Sequence, residues 1–306
     1  MRFAITHPMH SHPYHPELVS GAAIAEVAAA AERAGFGGFG FTDHPAPTQR
    51  WLDAGGHDAL DPFVAMGFAA AHTTTLRLIP NIVVLPYRNP FIVAKAGATL
   101  DLLSGGRFTL AVGVGYLKRE FAAVGVDFDE RAELFEEALQ VIRGIWTTDG
   151  MSFEGRHFSA AGITAHPRPV STPHPPIWVG GNTSAARERV ASYGQGWCPF
   201  RAPAGLAQTA RTAALESTGQ LRAGIVDLHR RLEAAGRDPA GIDITFTNGT
   251  GGSPGGDDFN ADEFLTGVAE LVDIGVSWIQ VTVPGDHLAH TLETIENFGA
   301  DVIAAM

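Results

Sequence analysis

The chain alternates short β-branched or aromatic runs with amphipathic helical segments, eight times if the brief run Gly196–Cys198 is granted. A strand, a helix and a second strand in succession pair in parallel through a right-handed crossover. The alternation therefore excludes all-β and helical-bundle folds and predicts an α/β protein. The strand candidates are Phe3–Thr6, Phe39–Thr42, Leu76–Leu85, Arg107–Val112, Ile177–Gly180, Gly196–Cys198, Ile242–Thr247 and Trp278–Val283. Among the helices, Glu130–Trp146 is the clearest, because Leu134, Phe135, Ala138, Leu139, Ile142 and Trp146 recur on one face. Asp61 followed by Pro62 reads as an N-cap and first helical residue, and Ser104-Gly105-Gly106 as a carboxyl-terminal stop. Pro80 has no N–H for a ladder, so the third strand is predicted to bulge there.

Eight such units in 306 residues suit a closed (β/α)₈ TIM barrel, whose bare fold takes about 250 residues. The surplus falls in loops at Pro45–Leu60, Gly115–Asp129, Thr147–Pro176 and Pro199–Thr218. A doubly wound open sheet fits the same periodicity. No stretch reads as a linker, so a single domain over residues 1–306 is expected.

Composition narrows the function. A net charge of −12, with basic residues scattered along the sequence, lacks the footprint a nucleic-acid binder needs. No apolar run approaches the ~20 residues of a membrane span, and the amino terminus lacks the pattern of a signal peptide. A cytoplasmic protein acting on a small molecule is the expectation. The lone cysteine, Cys198, allows no intrachain disulfide, and its apolar GQGWCPF setting reads as core.

In a barrel, chemistry sits where strands end. The second strand ends in Asp43-His44, an acid beside a group that titrates near neutrality, which suits proton transfer. The same pair would also serve as a plain turn. Gly180-Gly181-Asn182-Thr183 at a helix start, with Gly113-x-Gly115 on the neighbouring strand, would let backbone amides approach an anionic ligand. Tight packing at a rim is the alternative for either run, with the anionic ligand favoured. Gly113-x-Gly115 is no Rossmann fingerprint, since Lys118 stands where the third glycine belongs. The run HPMHSHPYH carries His7, His10, His12 and His15, and His10-Ser11-His12 is the spacing that opens the metal site of amidohydrolase barrels. That pair lies beyond the end of its strand, so a histidine-bearing loop without metal is favoured. His7, nearest the strand, is the one expected to face a pocket.

The ordered segments GFGGFGFTDH, LRLIPNIVVLPYRNPFIVAKAGATLDLLSGGRFTLAVGVGY, FEEALQVIRGIW, FEGRHF and PPIWVGGNTSAARERVASYGQGW resemble the luciferase-like monooxygenases. They are especially similar to the deazaflavin (coenzyme F420)-dependent oxidoreductases of that superfamily. The resemblance implies a (β/α)₈ barrel with Asp43 as an orienting or ring-contacting residue and His44 as the acid/base. It places a bulge with a non-prolyl cis peptide at Asn81-Ile82, behind the ring. Further cofactor contacts are implied for Val84, Gly113, Gly115, Tyr116 and Val179 through Thr183. Substrate contacts are expected from His7 and from Trp51 in the loop after the second strand, and family members are often homodimers. Coenzyme F420 is the expected cofactor, with FMN and monooxygenase chemistry as the alternative. A metal-dependent amidohydrolase and a barrel that only binds cofactor are the readings from other classes.

Overall fold

The computed structural model describes residues Met1–Met306. Its strands are β1 (Arg2–Thr6), β2 (Gly38–Gly40), β3 (Arg77–Leu78), β4 (Val83–Val84), β5 (Leu110–Gly113), β6 (Met151–Glu154), β7 (Ser159–Ile163), β8 (Ile177–Gly180), β9 (Gly196–Cys198), β10 (Asp243–Phe246) and β11 (Trp278–Val281). Nine of them form one curled parallel sheet in the order β3-β2-β1-β11-β10-β9-β8-β5-β4. The short β9 is a full member, paired with β8 and β10. The loop surplus at Thr147–Pro176 contains the antiparallel β6–β7 hairpin, which the βα pattern did not reveal.

The predicted third strand is broken. β3 pairs with β2, β4 pairs with β5, and residues 79–82 lie between them without regular pairing. Pro80 accounts for part of this, as it offers no donor. The two ends of the sheet are thus two pieces of one strand. Leu78 makes an isolated parallel bridge to Phe108, its N–H donating to the Arg107 carbonyl at 2.8 Å and its own carbonyl accepting from Thr109 N–H at 2.9 Å. The ladders among named strands leave the sheet open at this point, short of the closed ring expected from the alternation.

Successive residues of a strand face opposite sides. In β1, Phe3 and Ile5 join the main core of 56 buried residues between sheet and helices. Ala4 packs instead on the concave side with Ile79, Ala111, Trp178 and Trp278, where the two indoles meet edge-on at 5.4 Å. This small plug fills the interior beneath the strand ends and leaves space above it.

Helix ends follow the local chemistry. Asp61 accepts from the N–H groups of Phe63 and Val64 ahead of the helix Pro62–Ala71. The helix Pro90–Ser104 stops at Gly105 with φ +69°. No helix is long and apolar enough to cross a membrane.

Glu32 ties the helix Gly21–Arg33 to the approach of β3 by accepting from the backbone N–H groups of Thr74, Thr75 and Leu76. Burial pushes its carboxyl up, but these hydrogen bonds outweigh burial and hold it at about 2 against an ordinary 4.5. A depressed folded-state value means stability that is present above the unfolded value and lost as pH falls through the folded one. Glu32→Gln is expected to be less stable than the parent at pH 7, with the gap shrinking below pH 4 toward pH 2. Urea titrations of both proteins at pH 7 and pH 3 check this, and an equal gap at the two pH values would refute it.

Candidate functional site

A cavity of about 450 Å³ opens at the carboxyl ends of the strands. Its floor is the apolar plug, reached at Ala4, Ile79, Ala111 and Trp178, and its walls carry Asp43, His44, Asn81, Ile82, Val84 and Tyr116. Gly113, Gly115, Gly180, Gly181 and Thr183 also line it, so most residues singled out in the sequence do converge. The volume falls in the usual range for ligand pockets, about 300–1,000 Å³.

His44 is the chemical centre of the wall. Its Nδ1 lies 3.1 Å from Glu120 Oε2. An ionised carboxylate only accepts, so His44 carries its hydrogen on Nδ1 and presents Nε2 without a protein partner. Glu120 is almost fully buried and also accepts from Ala46 N–H at 2.9 Å and from the Tyr87 hydroxyl at 2.9 Å. Burial would raise its carboxyl, yet the hydrogen bonds from His44, Ala46 and Tyr87 hold it below the ordinary range. A carboxylate held below its ordinary range behind Nδ1 fixes the ring's tautomer and orientation, so Nε2 faces the cavity as a site that can exchange a proton with a ligand.

The sequence-adjacent Asp43 does something else. Its carboxylate is buried and accepts from Val84 N–H at 2.8 Å and from the Arg88 guanidinium, with Nη2 to Oδ1 at 2.9 Å. Arg88 reaches on to Asp61 at 3.0 Å. Burial raises the Asp43 carboxyl, and Arg88 pulls the other way. Asp43 therefore anchors the restart of the split strand at β4, while the carboxylate that orients His44 comes from Glu120, on the helix Lys118–Ala123.

Two aromatic neighbours fix the His44 ring. Trp51 packs on it at 4.6 Å and His57 meets it edge-on at 5.1 Å. His57 also lines the cavity, with Nδ1 held by the Asp58 carbonyl at 3.0 Å. Burial lowers its pKa, the Asp58 carbonyl raises it and nearby His44 lowers it again, for a net downward shift. Trp51 supports His44 from behind and is not on the wall. His7 is buried as well, donating to the Leu18 carbonyl at 2.8 Å, and burial holds it down at about 4.

The glycines divide by cause. A Cβ at Gly113 or Gly180 would lie 2.4 or 2.5 Å from Ile82 Cδ1, so both are small to admit Ile82. Gly115, at φ +76°, would strike Val84 and Phe121. Gly181 differs: at φ +113° it has only Ala186 near, at 3.5 Å, so the cause is its backbone conformation, which is pinned by its N–H donating to the Cys198 carbonyl at 3.1 Å and its carbonyl accepting from Trp197 Nε1 at 2.9 Å. Thr183, on the cavity wall, caps the helix Ser184–Tyr193 by accepting from Ala186 N–H, so the helix starts at the cavity. Asn182 is buried and its amide group clamps the loop, donating to the carbonyls of Phe200 and Ala213. Val179 belongs to the core. Neither lines the cavity.

The Asn81–Ile82 peptide is cis. Asn81 Nδ2 and Gln280 Nε2 both donate to Thr6 Oγ1, at 3.0 and 2.8 Å, which leaves their carbonyl oxygens as acceptors beside the cavity. Tyr116 stays a phenol, pushed up to about 12 by burial and by Glu120. Cys198, expected in the core, is half-buried on the cavity wall; burial raises its thiol, so it is no ready nucleophile. His12 is paired with Asp58 at 2.9 Å. The one convergence of metal-ligand types is Asp286, His287 and His290, on the surface and apart from His10 and His12.

Residues 1–249 match the family model described as luciferase-like monooxygenase. Over 227 residues, 73% of the chain, it is 30% identical to an F420-dependent glucose-6-phosphate dehydrogenase of Kineococcus radiotolerans, covering 62% of that protein. It is 35% identical over 167 residues, 53% of the chain, to an FMNH(2)-dependent dimethylsulfone monooxygenase of Pseudomonas putida, covering 44% of it. The chain thus spans from under half to under two thirds of these curated relatives. A monooxygenase of Streptomyces bottropensis superposes with a TM-score of 0.82 over 100% of this chain and 99% of its own, at 21% identity, which speaks to the fold alone.

Proposed function

The chain belongs to the luciferase-like monooxygenase family, and from that premise we propose that it transfers a hydride between deazaflavin coenzyme F420 and a small organic substrate. The observation that carries this reading is His44, held through Nδ1 by a buried, ionised Glu120 and bare at Nε2 on the cavity wall. Hydride exchange at a carbon bearing oxygen needs a partner that moves the oxygen's proton, and this imidazole is built for that. The glucose-6-phosphate dehydrogenase relative uses F420.

The cavity suits such a cofactor. Apolar Ile79, Ile82 and Trp178 offer a surface for a planar ring, and the free carbonyl oxygens of Asn81 and Gln280 suit ring N–H groups. Thr183 and the first turn of the helix it caps suit a phosphate at the cavity edge. When bound, the deazaflavin supplies a two-electron hydride carrier. The chain's own residues do the rest. Apolar walls keep water from the transfer. His44 Nε2 takes the proton of a substrate hydroxyl in one direction and returns it to the oxygen in the other. Glu120 balances the charge that His44 gains, and Trp51 holds the ring in place.

The second reading is an FMN-dependent monooxygenase, favoured by the dimethylsulfone monooxygenase relative. Titrating the protein with F420 and with FMN, followed by absorbance and fluorescence, separates the two. Saturable F420 binding with weak or no FMN binding is expected; tight FMN binding and none for the deazaflavin would overturn the proposal.

The closed (β/α)₈ barrel belongs to the same proposal, with β3 and β4 as one split strand and the Leu78–Phe108 bridge as its support. So does a homodimer. Val64 and Phe68 lie one turn apart on Pro62–Ala71 and are 66% and 47% exposed, and the neighbouring helix Pro90–Ser104 adds Ile92, 68% exposed. Sedimentation at micromolar concentration should show a dimer that Phe68→Glu converts to monomer. A monomeric parent refutes it.

A further inference from the structure

The fold gathers cations that the sequence scatters. Lys118, Arg131 and Arg211 surround one buried ring, Phe128, at 5.7, 3.9 and 4.7 Å from its centroid. Lys118, Arg119 and Arg211 line a second cavity of about 310 Å³, which adjoins the first through the shared residues Tyr116 and Arg211. Carboxylates do not balance them. Lys118 has Asp129 at 3.7 Å, both well exposed, while Arg119, Arg131 and Arg211 have no carboxylate within ion-pair distance. Glu120 also borders this cavity, but its oxygens are taken up by His44, Ala46 and Tyr87. Burial and the neighbouring Arg211 together push the Arg131 guanidinium down. Four cations so placed, in a chain of net charge −12, have only Asp129 to offset their mutual repulsion, beside Lys118 and near Arg131.

Arg211 adds an independent sign. It has φ +50°, the one non-glycine residue of the chain in the left-handed region. It follows the helix Ala204–Thr209, where glycine is usual and costs nothing. Holding an arginine there keeps a guanidinium at the cavity mouth at the expense of backbone strain.

We propose that Lys118, Arg119, Arg131 and Arg211 form a second anion subsite, taking a phosphate or carboxylate on the tail of the cofactor. This rests on the cofactor reading above. The first phosphate would sit at Thr183 and the first turn of the helix Ser184–Tyr193, and the subsite would take a further negative group carried beyond it. A cofactor ending at one phosphate would leave these cations uncompensated, so the subsite favours a longer, polyanionic tail.

The test uses the full chain, the variants Lys118→Gln with Arg211→Gln, and the single variant Arg211→Gly. Coenzyme F420 should bind the double variant roughly 10- to 100-fold more weakly, the worth of one or two charge-assisted hydrogen bonds. The deazaflavin nucleoside, which lacks the anionic tail, should bind parent and variant alike. The salt dependence of F420 binding should flatten in the variant. Arg211→Gly should raise the melting temperature by releasing strain and still weaken F420 binding, an outcome that a purely structural role for Arg211 does not give. Equal losses for both ligands, or none, would overturn the subsite. A raised substrate KM with unchanged F420 affinity would assign the anion to the substrate and overturn it too. Inorganic tripolyphosphate gives a readout without cofactor: it should raise the parent's melting temperature and not that of the double variant. If neither deazaflavin binds while tripolyphosphate still stabilises the parent only, the cofactor reading fails and the anion site stands.

Discussion

His44→Ala is expected to lower kcat for hydride transfer by about 10²- to 10⁴-fold, the usual worth of a positioned general acid/base. Cofactor affinity should stay within a few-fold if the proposed arrangement holds, with His44 toward the substrate and the apolar floor under the cofactor. Stability should fall by about 1–3 kcal/mol, because the buried Glu120 carboxylate loses its Nδ1–H donor, so the rate is compared under conditions where both proteins are fully folded. Glu120→Gln separates proton transfer from positioning. It keeps an acceptor for His44 Nδ1 but removes the charge that stabilises the imidazolium, and should cost roughly 10- to 100-fold, the scale of one charge-assisted hydrogen bond. The measurement is stopped-flow reduction or oxidation of the deazaflavin with each variant. An unchanged rate in His44→Ala would remove this imidazole from the mechanism.

The largest effect on folding is expected at Gly40. A Cβ there would lie 1.7 Å from the Ile79 carbonyl oxygen and 2.6 Å from its carbon, both backbone atoms that no rotamer change can move aside. Gly40 therefore admits the irregular segment 79–82, which is tied to the second strand by hydrogen bonds from Ile79 N–H to Phe39 and from Asn81 N–H to Phe41. Gly40→Ala should cost about 3 kcal/mol or more, at the upper end of overpacking effects. It should also weaken cofactor binding, since the displaced segment carries Asn81 and Ile82. Gly67→Ala is the control: nothing lies within 4 Å of its Cβ, in the middle of a helix. It should be neutral or stabilising by about 0.5–1 kcal/mol. Denaturant midpoints of the two variants decide the matter. Equal midpoints would mean that the segment relaxes freely.

Much of this was legible in the sequence. Period and caps located the elements to within a few residues, as with Glu130–Trp146, observed at Arg131–Thr147, and Gly196–Cys198, and Pro80 marked the break in the third strand. Strand ends pointed to His44, Asn81 and Tyr116. What one dimension hid was pairing across distance. Glu120 lies 76 residues from the histidine it holds, inside a stretch read as surplus loop, and nothing near it announced a buried carboxylate. Adjacency suggested Asp43 instead, whose partners are Val84 and Arg88. The cations round Phe128 were scattered over 94 positions, from Lys118 to Arg211, so no local charge run revealed them. The glycines were found but their cause was not, because only the fold shows that Ile82 fills the space they leave.

That last packing relation binds three separate parts of the chain into one unit of variation. Ile82 occupies the volume that side chains at Gly113 and Gly180 would need. None of the three can be exchanged freely while the other two stay fixed, and a change at one opens or closes options at the others. Mutational effects at these sites will be epistatic, and single-site scans will understate what the floor of the cavity can accept. Anyone reshaping this pocket for a different ring has to treat 82, 113 and 180 as a single choice.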